Sequence, residues 1–401
     1  MKKLSLVAGS LAMALLAGCS TGPMIGGIGG GDSSTDFRAD GTSKTEIVVR
    51  FNTASVKGLP YKVKKTIKGI NASVIEVPSG KTPEQVIADI KAKYSVKYAH
   101  NVNRVMMDVY DDPMIKDQYS LNITNALQAW DTQKGDMNTM IAVIDSGVDM
   151  THPDLKDKIV KAYNVFSKDA NVKDMNGHGT HCAGIAAAAL NGVGTAGVAP
   201  NCGIMAVQVL NSQGGGSDQT IADGIVWAAD NGAKVMTMSL GLYKRSKVVE
   251  DALQYALDKD VVLCASAGNN NAMNDPETAP HLPSTYPGVI EVAATDAKDQ
   301  KASFSNWGKT VVVAAPGHQI LSTVPTYANG TGKTSYSTMS GTSMASPFAA
   351  GVAGLIRSQH PEWNREQVRQ AMEKAVADLG QPGFDQYFGH GRVDALKAVS
   401  L

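Results

Sequence analysis

Three side chains in this sequence could together perform nucleophilic catalysis. Ser343 stands in Ser340-Gly341-Thr342-Ser343-Met344-Ala345-Ser346-Pro347, a small-residue turn running into an apolar helix from Phe348 to Ile356. A hydroxyl placed beside the unpaired N–H groups of a helix start could attack a carbonyl while those N–H groups receive the developing negative charge. Taken alone, the stretch is also ordinary turn-and-cap chemistry. Ile141-Ala142-Val143-Ile144-Asp145-Ser146-Gly147-Val148 is an apolar run ending in an acid and a tight turn. It reads as a buried strand with a carboxylate at its C-terminal end, where open α/β sheets build their sites. Asn176-Gly177-His178-Gly179-Thr180-His181-Cys182-Ala183-Gly184 is a glycine-rich turn entering an alanine-rich helix. A neutral imidazole takes a serine proton, and a buried carboxylate fixes its tautomer and stabilises its charged form.

In the order Asp, His, Ser, these segments resemble the three active-site signatures of the subtilisin-like serine proteases (subtilases), not the chymotrypsin or α/β-hydrolase order. A fourth segment, Ser266-Ala267-Gly268-Asn269-Asn270, resembles that family's oxyanion-hole segment, and the resemblance runs from about Asp111 to the C-terminus. One signature is weak; four in family order are not a coincidence. The resemblance implies an α/β fold of three layers, a mostly parallel central sheet flanked by helices, preceded by a small α+β propeptide domain. It implies a serine endopeptidase in which His178 deprotonates Ser343, Asp145 orients His178, and Asn269 with the Ser343 N–H holds the oxyanion before an acyl-enzyme forms and is hydrolysed. The carry-over also gives Gly214, Gly215 and Gly216 as one substrate-pairing edge. Ser239, Leu240 and Gly241 form the second, flanking the S1 pocket together with Ser266, Ala267 and Gly268. A structural Ca²⁺ is implied at Asp112 and Asp154 with Asn191 and Thr195 of the loop 190–195, a loop one residue shorter than the common form; the chemistry itself calls for no metal. Asp169, Asn171 and Asp174 read equally as a second, weaker cation site or as a solvated loop. His152, His181, His318 and His390 read as structural, His181 being a decoy for the general base.

The elements that position these groups follow from the rest of the chain. Its 401 residues suffice for a large core plus extras, and 40 glycines with 6% aromatic residues suit a tightly turned α/β enzyme. Lys+Arg and Asp+Glu are both 37, which points away from a nucleic-acid partner. Residues 1–18 read as a lipoprotein signal peptide: Lys2 and Lys3, an apolar run from Leu4 to Leu16 too short to span a bilayer, then Leu16-Ala17-Gly18-Cys19, which resembles the bacterial lipobox. Lipidation of Cys19 would tether the protein to a membrane. Ser20 is not an acidic retention-type residue, so the expected place is the outer membrane or surface. Of the three remaining cysteines, Cys202 and Cys264 read as inert core thiols. Cys182, four residues after His178, reads as a packed thiol or as a site through which mercurials inactivate the enzyme.

Residues 19–44 read as a flexible Gly/Ser-rich linker. Residues 45–109 carry a strand from Glu46 to Phe51, a strand or hairpin within Ile67–Val77, a helix capped by Thr82 and a last strand from Val96. They resemble the family's propeptide, an intramolecular inhibitor and folding chaperone, with its first helix missing or reduced between Phe51 and Ile67; the alternative is an unrelated accessory domain. Residues 110–401 form the catalytic domain, expected to be freed by autoprocessing between about Asn103 and Asp112 and to act as a monomer on polypeptides. Two other functions stay open: a dedicated processing protease for a few envelope or secreted partners, and a catalytically silent binding protein on the same scaffold.

Overall fold

The structure, a computed structural model, describes residues 42–53, 58–103 and 112–401. Cys19, residues 19–41 of the expected linker and residues 104–111 of the expected processing segment lie outside the described residues, and the last three residues expected as linker, 42–44, are strand, because they pair in the sheet of the first unit. The chain divides into two compact units, Met1–Asp108 and Val109–Leu401.

In the first unit, strands β1 (Thr42–Phe51), β2 (Val63–Ile67), β3 (Ala72–Glu76) and β4 (Val96–Asn103) form an antiparallel sheet in the order β2-β3-β1-β4. Helix α1 (Pro83–Lys93) begins at a reciprocal cap, Thr82 with Gln85, and packs Val86 and Ile90 against Ile47, Val49 and Ile75. The stretch expected as a strand or hairpin is a hairpin, β2 to β3, turning at Asn71 in the left-handed conformation. Between β1 and β2 the described residues contain no helix.

The second unit opens with two short helices, α2 (Tyr119–Ile123) and α3 (Ala126–Ala129). Strands β5 (Met140–Asp145) and β6 (Ile159–Asn164), helix α4 (His178–Ala187), strand β7 (Gly203–Gln208), helix α5 (Asp218–Asp230), strand β8 (Val235–Met238), helix α6 (Lys247–Asp258) and strand β9 (Val262–Ser266) follow. After these come β10 (Met273–Asn274), β11 (Ile290–Thr295), β12 (Trp307–Gly308), β13 (Val311–Pro316) and the hairpin β14 (Ile320–Val324) and β15 (Ser335–Met339). The chain ends with α7 (Thr342–Gln359), α8 (Arg365–Lys374), β16 (Val376–Ala377), β17 (Arg392–Val393) and α9 (Ala395–Ala398). Nine strands form the central sheet, in the order β16-β17-β13-β11-β9-β8-β5-β7-β6. Every pairing in it is parallel except β16 with β17.

Parallel strands joined by helical crossovers are covered on both faces, which is why their sequences are continuous apolar runs. On β5, Ile141 and Val143 join the core under α4 and α7, whereas Ala142 and Ile144 join the core under α5 and α6. Alternation therefore aims Asp145, the next odd-numbered position, toward the α4 and α7 side. The helix of the histidine segment begins at His178 itself. One helix starts earlier than the sequence suggests: α7 begins at Thr342 rather than Phe348, which puts Ser343 in its first turn. No helix among the described residues is long and apolar enough to cross a membrane.

Candidate active site

Asp145 ends β5 and is 1% exposed; His178 begins α4. Gly179 permits their approach, because a Cβ there would stand 2.1 Å from the Gly147 carbonyl oxygen. His178 Nδ1 donates to Asp145 Oδ1 at 2.8 Å and Oδ2 at 2.9 Å, leaving Nε2 as the base. Burial opposes a charge on this imidazole, but the Asp145 carboxylate, with Cys182, outweighs it and raises the pKa well above 6.5. The neighbouring His181 is held differently. Its Nε2 lies 3.1 Å from the carbonyls of Ile320 and Ser337, and burial pushes it down to about 3.

Asp174 positions this pair. Its buried carboxylate accepts five hydrogen bonds, from the N–H groups of Asn176, Gly177 and Thr180 and the hydroxyls of Ser146 and Thr180. It thus caps the start of α4 and links it to the residue after Asp145, while burial holds its carboxyl above the usual range. Asp169 instead accepts from Asn171 N and Ser167 Oγ in an exposed turn, so the group Asp169, Asn171 and Asp174 does not converge on a cation.

Ser343 is reached through an interruption in α7. Pro347 has no N–H to give to the carbonyl four residues before it, that of Ser343. That carbonyl accepts instead from Ser239 Oγ at 2.7 Å and Cys182 Sγ at 3.4 Å. Cys182 Sγ also lies 3.9 Å from His178 Nδ1, so the buried thiol touches both sides of the site, and burial raises its pKa. Ser343 Oγ donates to Ser239 O at 3.5 Å; among the described residues it has no hydrogen bond to His178. A loose nucleophile–base contact is usual before substrate arrives. The other two thiols, Cys202 and Cys264, are buried and pushed up to about 11 and about 12 by burial.

The Asn269 amide is fixed by Thr342, whose N–H and hydroxyl both donate to Oδ1 at 2.9 Å. This turns Nδ2 toward Gly341. A Cβ added at Gly341 would lie 3.4 Å from Asn269 Nδ2 and 3.5 Å from Ser343 N, so the two donors face one small space. Behind the loop, Asn306 receives the N–H groups of Asn270 and Ala272 on Oδ1 and donates to Asn274, and Asn274 donates to Ala267 O and to buried Glu291. Burial raises Glu291 above the usual range. The sequence carried no signal for Asn306 or Glu291 as supports, because their partners come from other segments of the chain, and Asp174, weighed only as a cation ligand, is a local cap for α4.

A cleft of about 410 Å³ runs from Asp145 and His178 past Gly214, Gly215 and Gly216 to Ser239, Leu240 and Gly241. Within the glycine edge, Asn211 already engages Gly214 N and both the N–H and the carbonyl of Gly215. Among the described residues no hydrogen bond engages Gly216, which leaves it for pairing. Ser266, Ala267 and Gly268 are at the end of β9, and Gly268 N donates to Thr342 Oγ1 at 3.0 Å.

The residues expected to hold Ca²⁺ come together, and Asp112 beside Asp154 adds to burial in raising the Asp154 carboxyl. The loop engages part of their donor set. Asp112 Oδ1 accepts the N–H groups of Asn191 and Val193, and Asp154 Oδ2 accepts that of Thr195. Tyr336 donates to Asp154 Oδ1, the Asn191 side-chain oxygen accepts from Val193 N, and the Gly194 carbonyl accepts from Met114 N. A hard cation takes six to eight oxygens, and the buried carboxylates of Asp112 and Asp154 with the side-chain oxygens of Asn191 and Thr195 are of the type that would hold it.

Asp, His and Ser in this order on a mostly parallel sheet, with a side-chain amide and a helix N–H facing one space, define a serine hydrolase of the subtilisin type. The family model described as "Subtilase family" matches residues 136–391. The chain is 40% identical over 333 residues to a thermophilic serine proteinase of Bacillus sp. (strain AK1), covering 78% of this chain and 79% of that protein. It is 44% identical over 283 residues to thermitase of Thermoactinomyces vulgaris, covering 70% of this chain and 95% of that one. Among solved structures, fervidolysin from Fervidobacterium pennivorans matches with a TM-score of 0.66 and 29% identity, covering 91% of this chain and 62% of its own. A protease from Pseudoalteromonas arctica matches at TM-score 0.66 and 31% identity, covering 72% and 98% respectively. The chain belongs to the subtilase family; it is a subtilisin-like serine peptidase, a hydrolase acting on peptide bonds.

Proposed function

We propose that this protein is an exported, lipid-anchored zymogen that matures into a serine endopeptidase of broad specificity. The observation carrying the catalytic part is the convergence of the Asp145–His178 pair, Ser343 and the Asn269 amide on one side of the sheet. In this mechanism His178 Nε2 takes the Ser343 proton as Oγ attacks the scissile carbonyl, and Asp145 stabilises the imidazolium. Asn269 Nδ2 and Ser343 N hold the oxyanion. His178 returns the proton to the leaving amine, and water then releases the acyl group by the same steps in reverse roles. Substrate pairs its backbone with the edges at Gly214–Gly216 and Ser239–Gly241, a mode that reads little sequence. The P1 side chain enters between Ser239–Gly241 and Ser266–Gly268.

The first unit, an α+β domain directly before the peptidase, serves as the propeptide; a solved relative that spans 91% of this chain, beyond the catalytic unit alone, supports this. Cys19 carries the lipid, so processing leaves lipid and peptidase on different fragments. Ca²⁺ has no part in the chemistry; a structural ion would be held by Asp112 and Asp154 with Asn191 and Thr195 of the adjoining loop. The test is expression of wild type beside Ser343→Ala with intact-mass analysis. Two wild-type fragments cut near residues 103–112, the first heavier by a lipid, and an intact mutant are expected. If both chains stay whole and wild type cleaves no peptide, the silent-scaffold alternative replaces this one.

A further inference from the structure

His281 is a buried imidazole that the catalytic scheme does not use. It is 2% exposed and belongs to neither hydrophobic core. A two-way pairing between Leu242 and Leu282 fixes the segment 281–283 alongside the continuation of β8, next to Gly241. A Cβ at Gly241 would stand 2.1 Å from His281 Nε2, and a Cβ at Gly268 would stand 3.1 Å from the same atom. The Nε2 edge of the ring therefore lies in the gap left open by two glycines, one on each wall of the slot beside Ser343. Those walls are the ends of neighbouring parallel strands, β8 and β9, in the register Met238 with Ala265. Both walls are tied to the nucleophile, through Ser239 Oγ to Ser343 O and through Gly268 N to Thr342 Oγ1.

The ring is locked in place. Ser284 Oγ gives its proton to the His281 carbonyl at 2.9 Å and lies 3.1 Å from Nδ1, so Nδ1 bears the ring proton and Nε2 is bare. Thr285 Oγ1 also bonds the His281 backbone, and Tyr243 packs edge-on at 4.9 Å between ring centroids. Among the described residues Nε2 has no hydrogen-bond partner, and burial pushes the imidazole down to about 4, so a neutral ring stands there at neutral pH.

We infer that His281 is the floor of the P1 pocket and narrows the broad specificity proposed above at that one subsite, favouring short P1 side chains. This rests on the placement of P1 between Ser239–Gly241 and Ser266–Gly268 proposed above. Glycines on facing walls leave room for a large flat side chain; here the imidazole takes that room. An alanine or serine fits above the ring, whereas a phenylalanine must expel a side chain held by three neighbours. Pocket filling of this kind discriminates by about 10- to 200-fold per methylene-sized misfit.

The test is a series of chromogenic peptides differing only at P1, Ala, Leu and Phe, hydrolysed by the matured enzyme and by His281→Gly. The expected result is a wild-type kcat/KM for Phe at least about tenfold below that for Ala, and a Phe-to-Ala ratio that rises by about 10- to 100-fold in His281→Gly. A wild-type enzyme that prefers Phe overturns the inference, whether or not the variant folds. So does a ratio unchanged in a His281→Gly protein of normal melting temperature. Failure of the wild type on every peptide overturns the peptidase mechanism instead, and the two failures are thereby distinct. If His281→Gly melts early, His281→Ser, which keeps a small polar group on the floor, replaces it with the same expected rise.

Discussion

Gly341→Ala is the most discriminating perturbation of the catalytic scheme. The added methyl would lie 3.4 Å from Asn269 Nδ2, 3.5 Å from Ser343 N and 3.7 Å from Ser343 Cβ, all ordinary van der Waals contacts. Gly341 has φ 161° and ψ 160°, extended backbone open to alanine. Folding should therefore be intact, with a melting temperature at or slightly above wild type, since alanine costs the unfolded chain about 0.4–1 kcal/mol of freedom. The methyl nevertheless fills the space that both oxyanion donors face. Loss of one such donor costs about 10²–10³ in kcat, or about 2.7–4 kcal/mol. Screening one donor should lower kcat about 100-fold, and screening both should approach 10⁴-fold. KM should change little, because the ground-state carbonyl makes little use of the hole. The assay is steady-state hydrolysis of an Ala-P1 peptide beside thermal unfolding. Asn269→Leu and the double variant complete a cycle, whose effects should fall short of additive since both changes act on one oxyanion. A folded Gly341→Ala enzyme with kcat within threefold of wild type would refute the placement of the hole.

Four further outcomes follow from named contacts. Asp145 raises the His178 pKa, so kcat/KM should fall as pH drops through a midpoint above 6.5; Asp145→Asn should shift that limb downward and lower the plateau by about 10⁴-fold, read from pH–rate profiles. The same linkage makes the His178 contribution to stability complete at low pH and lost as pH rises through the raised folded pKa. Asp174→Ala removes the acceptor of five hydrogen bonds and should cost about 3 kcal/mol, lowering the melting temperature by ~6 °C, with Asp174→Asn restoring part of it; a loss under 1 °C by calorimetry contradicts the capping role. EGTA should lower the melting temperature of the Ca²⁺-loaded enzyme, because an ion held by Asp112 and Asp154 stabilises the fold that binds it, and Asp154→Asn should lose that response. A melting temperature unchanged by EGTA and by added Ca²⁺ contradicts an ion at this loop. Organomercurials should inactivate the enzyme slowly through the buried Cys182, and Cys182→Ala should be resistant; equal sensitivity of the two proteins in an inactivation time course excludes that thiol.

The sequence by itself determined the chemistry and the sheet. Apolar runs such as Ile141–Ile144 can only be strands covered on both faces, and an acid at the end of one, a histidine entering an alanine-rich helix and a serine in a small-residue turn are local patterns. Residue type and chain order carry them, so Asp145, His178, Ser343 and Asn269 were legible before any coordinates. The start of α7 was not, since the apolar run begins only at Phe348; the packed structure shows Ser239 and Cys182 donating to the Ser343 carbonyl in place of the N–H that Pro347 lacks. The surroundings of the expected cation site were not legible for a related reason. Four oxygen-bearing residues were visible in sequence, but whether a loop turns carbonyls or N–H groups toward a carboxylate is a matter of backbone direction. Glu291 meets Asn274 from another segment, and His281 meets Gly241 and Gly268 across the sheet, so no single position announces them. What tertiary structure decided was the direction of hydrogen bonds and the occupancy of small spaces, because both depend on which distant backbone arrives at a site and which way it faces.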